Sequence, residues 1–171
     1  RATKVVFDTV VSQPAQARQG AQALTRELVD KMIGSEELCI RLLSEAAGDK
    51  ASAHAINVSI ISLLMGRTFG LAETEMLDLG LGALLHDIGK GDIPERFRHR
   101  DEHHTTAEQK IYQTHVVHGI AQARRMELGV GASTVIAQHH ELIDGSGFPL
   151  KLTSDRTTVP ARIVALVNRY D

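Results

Sequence analysis

Histidine and acidic side chains recur along this chain at intervals that suit the assembly of a metal centre. The histidines at positions 54, 86, 115 and 139 are separated by 32, 29 and 24 residues. Each interval is about the length of one helix and a turn. The spacing therefore predicts that several helices each contribute one or two ligands to a buried metal site. The candidate residues are His54, His86, Asp87, His115, His139, His140 and Glu141.

The strongest chemical signal is the pair His86-Asp87, which ends a strongly apolar stretch. A carboxylate is costly to bury unless a cation or hydrogen bonds compensate its charge. A metal ion would compensate it, because neutral imidazoles bind divalent transition ions well and a carboxylate can bridge two ions. Two ions about 3.5 to 4 Å apart activate a hydroxide for in-line attack on a phosphoester. The pair therefore suits a metal-dependent hydrolase.

Each of these residues, taken alone, also has a simpler structural interpretation. A single histidine such as His54 in a buried helix is more often a hydrogen-bonded core residue. The pair His86-Asp87 would serve as a helix-end cap, and His139-His140 as an exposed polar helix end. Only the ordered set favours metal ligation.

The neighbouring polar residues leave similar alternatives open. Lys90 alone would complement the C-terminus of a helix, and His118 lies on the same helical face as His115. Glu141 would be a surface residue, would orient a ligating histidine, or would be catalytic. Three further histidines fall in a charged loop and are expected to be solvated, namely His99, His103 and His104.

Helical periodicity dominates the chain and outlines the elements that would carry these residues. Apolar residues recur at spacings of three and four, which predicts helices. Gly145, Gly147 and Pro149 demand a turn, and Pro160 suits the first turn of a final helix. We predict helices over residues 15–33, 53–65, 74–85, 106–127 and 131–141, one from Ser35 to near Gly48, a turn over 144–149 and a last helix from Pro160.

Composition limits the class of protein. The 171 residues suffice for one well-buried domain, and 4% aromatic residues favour packed helices over a β-sandwich. A formal net charge of -2 argues against duplex nucleic acid as a partner. The single Cys39 fits a reducing cytoplasm, and no signal peptide or membrane-spanning run is evident. These features predict a cytoplasmic protein. The chain begins at Arg1 and stops at Asp171 inside a predicted helix, so we also expect a fragment of a longer polypeptide.

The ordered motifs resemble the HD-GYP branch of the HD phosphohydrolase superfamily. They are His54, the His86–Lys90 block (HDIGK), His115, the His139–Glu141 block (HHE) and the Asp144–Pro149 loop (DGSGFP). The resemblance implies an all-α helical bundle and the hydrolysis of cyclic di-GMP in bacterial signalling. It covers residues 49–171, with the C-terminal part of the domain missing. Residues 1–48 would form an N-terminal helical segment or linker.

Roles at the site follow from the resemblance, residue by residue. One divalent ion would be held by His54, His86 and Asp87, and a second by Asp87, His115, His139 and His140. Lys90 would contact the substrate phosphate as a catalytic residue beside Asp87, and Asp171 matches an acidic, substrate-binding position. Iron or manganese is favoured, and nickel or zinc would also suit the ligands. A glutamate that some relatives use for a third ion would fall near Lys50 and is not present there, so two ions are expected.

The resemblance also names partners for the chain. Such domains usually act behind a receiver or sensor domain, so we expect a domain or protein of that kind as a partner. A cyclic dinucleotide is the expected substrate, and a homodimer is a further expectation.

Two positions depart from the family pattern. Asn168 stands where a metal-binding aspartate is expected, so one negative charge is lost from the first ion's ligands. Phe148 replaces the tyrosine of the signature, so the ring remains but the hydroxyl is lost. Two alternatives to cyclic di-GMP hydrolysis therefore stay open. They are a phosphohydrolase for another nucleotide and a catalytically weak signalling module.

Overall fold

A computed structural model of the chain describes residues 2–34, 49–99 and 103–171. Over these ranges the chain forms seven α-helices and no β-strand, which confirms the predicted all-α class. None of the helices in these ranges is both long enough and apolar enough to cross a membrane. The helices are α1 (Ala2–Thr9), α2 (Pro14–Gly34), α3 (Lys50–Thr68), α4 (Glu73–Leu85), α5 (Thr106–Arg125), α6 (Val130–Gln138) and α7 (Val159–Tyr170).

Helix α3 lies at the centre of the bundle, as its nearly continuous apolar sequence predicts. Val58, Ile60 and Leu63 are completely buried on it. Helix α3 packs against α4 and α7, while α4 also packs against α6. Because α3 and α4 are apolar around most of their surface, polar groups on them have to be matched inside the protein.

The N-terminal helices pack onto the same core. Ala17 and Ala21 on α2 share one hydrophobic cluster with Leu84 and Leu85 of α4, and Met32 shares another with Leu63 of α3. The helix predicted from Ser35 to Gly48 lies outside the described residues. The division of the chain at residue 48 stays a prediction.

Side-chain caps mark the starts of α3 and α5. Asp49 accepts a hydrogen bond from the Ser52 amide at the start of α3, 3.0 Å away. Thr105 and Glu108 form a reciprocal capping box on α5, and Pro160 lies in the first turn of α7, as predicted. Each cap satisfies an amide that would otherwise lack a partner. These caps fix where the helices that carry ligands begin.

Helix α4 ends directly before the His86–Lys90 block. A 3-10 turn, Ile88–Asp92, follows it and packs against α5. A side chain on Gly89 would place its Cβ 2.0 Å from the His115 carbonyl oxygen and 2.3 Å from the Gly119 nitrogen. Only glycine permits this backbone contact. The contact holds Asp87 and Lys90 close to His115.

One predicted boundary differs from the structure. The sequence favours a helix over residues 131–141, whereas α6 ends at Gln138. Beyond Gln138 the backbone forms a tighter turn, in which the Glu141 amide donates a hydrogen bond to the Gln138 carbonyl oxygen at 2.9 Å. His139 and His140 therefore sit on a turn, where both rings reach the same side.

Candidate metal centre

The predicted ligands come together at one end of the bundle in two groups that share Asp87. The first group, which we call the α7 side, contains His54, His86 and Asp87, with Asn168 and Asp171 of the α7 end beside it. The second group, the buried side, contains Asp87, His115, His139 and His140. Within each of these two sets of histidine and aspartate, the candidate ligand atoms lie within 4.8 Å of one another.

On the α7 side, ring nitrogens approach one oxygen of Asp87. The Nε2 atoms of His86 and His54 lie 3.3 Å and 3.7 Å from Asp87 Oδ2. These two Nε2 atoms are 3.2 Å apart. The His86 ring is completely buried, whereas the His54 ring is 27% exposed.

On the buried side, the other oxygen of Asp87 faces two more rings. The Nε2 atoms of His115 and His139 lie 3.5 Å and 3.8 Å from Asp87 Oδ1, and they are 3.4 Å from each other. Both rings have no exposed surface. The two carboxylate oxygens thus point to different groups of histidines, the arrangement of a bridging ligand.

Hydrogen bonds to the backbone fix the tautomers of three rings. The Nδ1 atoms of His86, His115 and His139 contact the carbonyl oxygens of residues 83, 112 and 136. A carbonyl can only accept, so each Nδ1 carries a proton, and each ring in its neutral form presents a lone pair at Nε2.

A metal ion fits this arrangement of acceptors. The lone pairs of His115 and His139 face each other, and the buried oxygen Oδ1 of Asp87 has no hydrogen-bond partner. Acceptors that face acceptors in a buried site are unfavourable unless a cation lies between them. The donor set of imidazole nitrogens and a carboxylate suits divalent transition ions.

Burial keeps the rings of the buried side neutral. Burial lowers the pKa of His139 well below its usual value, and the neighbouring His140 lowers it further. Burial also lowers the pKa of His115, although Asp87 opposes this, and burial with His115 lowers the pKa of His140 to about 3. Neutral imidazole is the form that binds metal, so these rings need not lose a proton to do so.

Asp87 stays ionised in spite of its burial. Burial acts to raise the pKa of this carboxyl, but the His86 ring and the Lys90 ammonium outweigh it and hold that pKa well below the usual range. The Nζ atom of Lys90 lies 2.6 Å from Asp87 Oδ2. Lys90, for which the resemblance predicts a contact with the substrate phosphate, pairs with the shared carboxylate in this structure; the phosphate contact stays a prediction.

The end of α7 completes the α7 side. The Oδ1 atom of Asn168 lies 2.9 Å from the Nε2 atom of His54, which is a candidate ligand atom. The Nδ1 atom of His54 donates to Asp171 Oδ2 at 2.7 Å, a pairing that orients a ligating ring. The predicted substrate contact of Asp171 stays a prediction, since in this structure its carboxylate is bonded to His54.

Glu141 organises the loop that follows the two histidines. Its side chain is buried and accepts hydrogen bonds from the amides of Leu150 and Leu152, at 2.7 Å and 2.8 Å. A Cβ on Gly147 would lie 2.4 Å from the Leu142 nitrogen, so the loop backbone doubles back closely. The surface interpretation of Glu141 is wrong, because two distant amides depend on its carboxylate.

The loop places Phe148 against a ligand. The rings of Phe148 and His140 stack with centroids 4.5 Å apart and an interplanar angle of 19°. The Tyr112 hydroxyl, from α5, lies 3.4 Å from His140 Nε2. The ring that replaces the signature tyrosine therefore still packs on His140, and a hydroxyl reaches His140 from another helix.

The centre opens into a cavity of about 940 Å³. Its lining includes Lys50, Lys90, Arg98 and Arg169, which are cations able to face an anionic ligand. A cavity of this size is at the upper end of the range for small-molecule sites. His99 and His104 also line it; His104 is half-buried against Phe97 rather than fully solvated.

The sequence did not predict two features of the site, namely the position of Tyr112 and the bond between Asp171 and His54. Tyr112 lies three residues before His115, so the helical period alone places both on one face. The bond between Asp171 and His54 joins residues 117 positions apart, and only the packing of α7 on α3 brings them together. His118, the alternative to His115, belongs to neither group of candidate ligands in the described residues.

Comparisons with known proteins identify relatives of this chain. A model of the HD domain family matches residues 22–171. The 3'3'-cGAMP-specific phosphodiesterase 2 of Vibrio cholerae is 32% identical over 148 residues, which cover 84% of this chain and 28% of that protein. The cyclic di-GMP phosphodiesterase PA4108 of Pseudomonas aeruginosa is 27% identical, covering 95% of this chain and 41% of that protein.

A solved structure has the same fold. Bd1817, described as a HDG"Y"P protein from Bdellovibrio bacteriovorus, superposes with a TM-score of 0.84 at 19% identity, covering 98% of this chain and 56% of that one. This chain spans less than half the length of the two phosphodiesterases that it matches.

Proposed function

This chain belongs to the HD domain family, in its HD-GYP branch, and on that premise we propose that it is a metal-dependent phosphodiesterase that cleaves cyclic di-GMP. The observation that carries the proposal is the pair of ligand groups that share Asp87. Each oxygen of this carboxylate faces a separate set of ring nitrogens. That arrangement supports a site for two adjacent divalent ions.

Each side of the centre would hold one ion. His54, His86 and Asp87 would bind the first ion, with the Asn168 amide oxygen as a neutral fourth donor. Asp87 would share the second ion with His115, His139 and His140. Bound ions of this kind polarise a phosphodiester and make a nucleophile available at neutral pH. Iron or manganese is the proposed metal, with nickel or zinc compatible with the same ligands.

The protein's own residues would bind and orient the substrate. Lys90 lies on the cavity wall next to Asp87, where its ammonium would neutralise charge on a phosphate oxygen. Asp171 would hold the His54 ring in the orientation that turns Nε2 towards Asp87. The product would be a linear dinucleotide or GMP.

A second substrate is favoured by one comparison. The relative that is 32% identical is described as specific for 3'3'-cGAMP, another cyclic dinucleotide. A catalytically weak module is the remaining alternative, because Asn168 supplies no charge to the first ion. A receiver or sensor partner, a homodimer and a cytoplasmic location stay predictions.

The experiment combines metal analysis with a substrate panel. The protein, reconstituted with Mn²⁺ or Fe²⁺, would be incubated with cyclic di-GMP, 3'3'-cGAMP and a linear dinucleotide. We expect about two ions per chain and turnover of cyclic di-GMP. Turnover of 3'3'-cGAMP alone would support the second substrate, and bound ions without any turnover would contradict the enzyme proposal.

A matched pair of variants checks the ligand assignment. His115→Ala should lose metal and activity, whereas His118→Ala removes a histidine from the same helix outside both groups. We expect His118→Ala to keep its metal content. Equal losses in the two variants would contradict the assignment of His115.

A further inference from the structure

Tyr112 occupies a position that the proposed function does not use. It lies on α5 one turn before His115, is 7% exposed, and lines the cavity. Its ring centroid is 4.8 Å from that of His115, and its hydroxyl lies 3.4 Å from His140 Nε2. An aromatic ring beside two candidate ligands can influence the affinity of the centre for metal ions.

The face of the same ring lies near Lys90. The Nζ atom of Lys90 is 5.6 Å from the centroid of the Tyr112 ring. Ammonium groups within about 6 Å of such a face are attracted by its negative potential, more strongly where water is excluded. Lys90 therefore has two partners, the Asp87 carboxylate at 2.6 Å and the Tyr112 ring.

A metal ion on the α7 side would compete with Lys90 for one oxygen. Lys90 pairs with Asp87 Oδ2, the oxygen that the Nε2 atoms of His86 and His54 also approach. Ligand oxygens lie about 2.0 to 2.2 Å from such ions. An ion at that distance would leave the ammonium of Lys90, whose side chain is only 23% exposed, beside a like charge, which is unfavourable. Metal binding at this oxygen would therefore displace Lys90 from Asp87.

We propose that Tyr112 is a positioning residue that holds the Lys90 ammonium against its ring once metal ions have taken the Asp87 carboxylate. This inference rests on the proposed function, since it assumes that ions bind at Asp87. The ring would lower the cost of displacing Lys90 and keep the ammonium at the cavity wall, where a substrate phosphate would meet it. Tyr112 therefore acts through Lys90 and not through a bond to the substrate.

Metal affinity provides a test that needs neither substrate nor turnover. Mn²⁺ binding would be measured by competition with a chelating indicator for the wild type, Tyr112→Phe, Tyr112→Leu, Lys90→Met and the Tyr112→Leu/Lys90→Met double variant. Tyr112→Phe keeps the ring and removes the hydroxyl, so it separates the contact with Lys90 from the contact with His140. Lys90→Met removes the competing charge and keeps much of the side-chain length.

If Tyr112 acts through Lys90, the Mn²⁺ affinities of these variants should show a specific pattern across this double-mutant cycle. Tyr112→Phe should bind Mn²⁺ within about twofold of the wild type, and Tyr112→Leu about tenfold more weakly. Lys90→Met should bind more tightly than the wild type, because no ammonium has to be displaced. In the Lys90→Met background, Tyr112→Leu should have no further effect, which is the signature of coupling between the two side chains.

Two outcomes would overturn the inference. An equal loss from Tyr112→Leu with and without Lys90 would show that the ring acts on the imidazoles instead. A loss from Tyr112→Phe as large as that from Tyr112→Leu would assign the effect to the hydroxyl. If Tyr112→Leu does not fold by circular dichroism, Tyr112→Met replaces it in the same cycle. Bound metal without hydrolysis of a cyclic dinucleotide would refute the proposed function and leave the result of this cycle intact.

Discussion

The two sides of the metal centre differ in what holds their ligands in place. On the buried side, His115 and His139 have no exposed surface, and backbone carbonyls fix both rings. On the α7 side, the His54 ring is 27% exposed and is oriented by the side chain of Asp171. His86 on the α7 side is likewise buried and bonded to a backbone carbonyl, so the difference between the two sides lies in His54, whose ring a side chain orients. We therefore expect the buried side to be the more robust half of the centre.

The largest effect should come from Asp87, which both sides share. We expect Asp87→Asn to weaken the binding of both ions by more than about 100-fold, because the bridging carboxylate is lost. Metal content after dialysis, determined by mass spectrometry, measures this. Asp155→Asn removes a carboxylate from an exposed turn and should retain wild-type content. Loss of metal from one side only would show that the carboxylate does not bridge.

The dependence of stability on pH should show that the His140 ring of the buried side stays neutral in the fold. The fold holds the pKa of His140 at about 3, whereas an unfolded histidine binds a proton below about pH 6.5. The unfolded state thus binds more protons in this window, so the stability of the metal-free protein falls as the pH is lowered from 6.5 towards 3. Between pH 7 and pH 5, His140 should account for a loss of about 2 kcal/mol in the free energy of unfolding.

Urea unfolding of the metal-free protein at several pH values checks this contribution. His140→Gln cannot titrate, so its stability should depend less steeply on pH than that of the wild type. An unchanged slope in this variant would mean that His140 does not stay neutral in the fold. The buried side would then have to release a proton from His140 to bind metal, and the proposed contrast with the α7 side would weaken.

A smaller effect should sharpen the comparison from the α7 side. Asn168→Asp adds a negative charge 2.9 Å from a ligand nitrogen of His54, so we expect one of the two ions to bind about tenfold more tightly. Two-site metal titrations would resolve which affinity changes. Gln109→Glu adds the same charge elsewhere on the cavity wall and should change neither affinity comparably. Equal gains in metal affinity in the two variants would indicate a general electrostatic effect of the added charge rather than metal ligation by residue 168.

The sequence was sufficient for those parts of the protein that follow local patterns. Apolar spacing predicted α2 over residues 15–33, close to the observed Pro14–Gly34, because one buried face repeats with each turn. The ordered motifs predicted the histidines and the aspartate that the structure brings together. The helix follows from a local repeat, and the ligands follow from short motifs whose order along the chain could be recognised.

Contacts between distant segments were not accessible in the same way. Glu141 bonds amides nine and eleven residues further on, and nothing in its local sequence indicates this. Beyond the early end of α6, the His140 carbonyl accepts a hydrogen bond from the Phe148 amide, a partner in the following loop that helical periodicity does not indicate. The role of Tyr112 is hidden because an aromatic residue on a buried helical face has the same pattern as an ordinary core residue.

The smallest effect concerns the loop on the buried side. Phe148 stacks on His140, and a hydroxyl from Tyr112 already lies 3.4 Å from that ring. Phe148→Tyr should therefore change turnover by less than about twofold, because the stacking that orients His140 is kept. Phe148→Ala removes the ring and should lower metal affinity on the buried side several-fold. If Phe148→Tyr raised activity strongly, the hydroxyl rather than the ring would be what the loop supplies, and the buried side would be less complete than its ligands suggest.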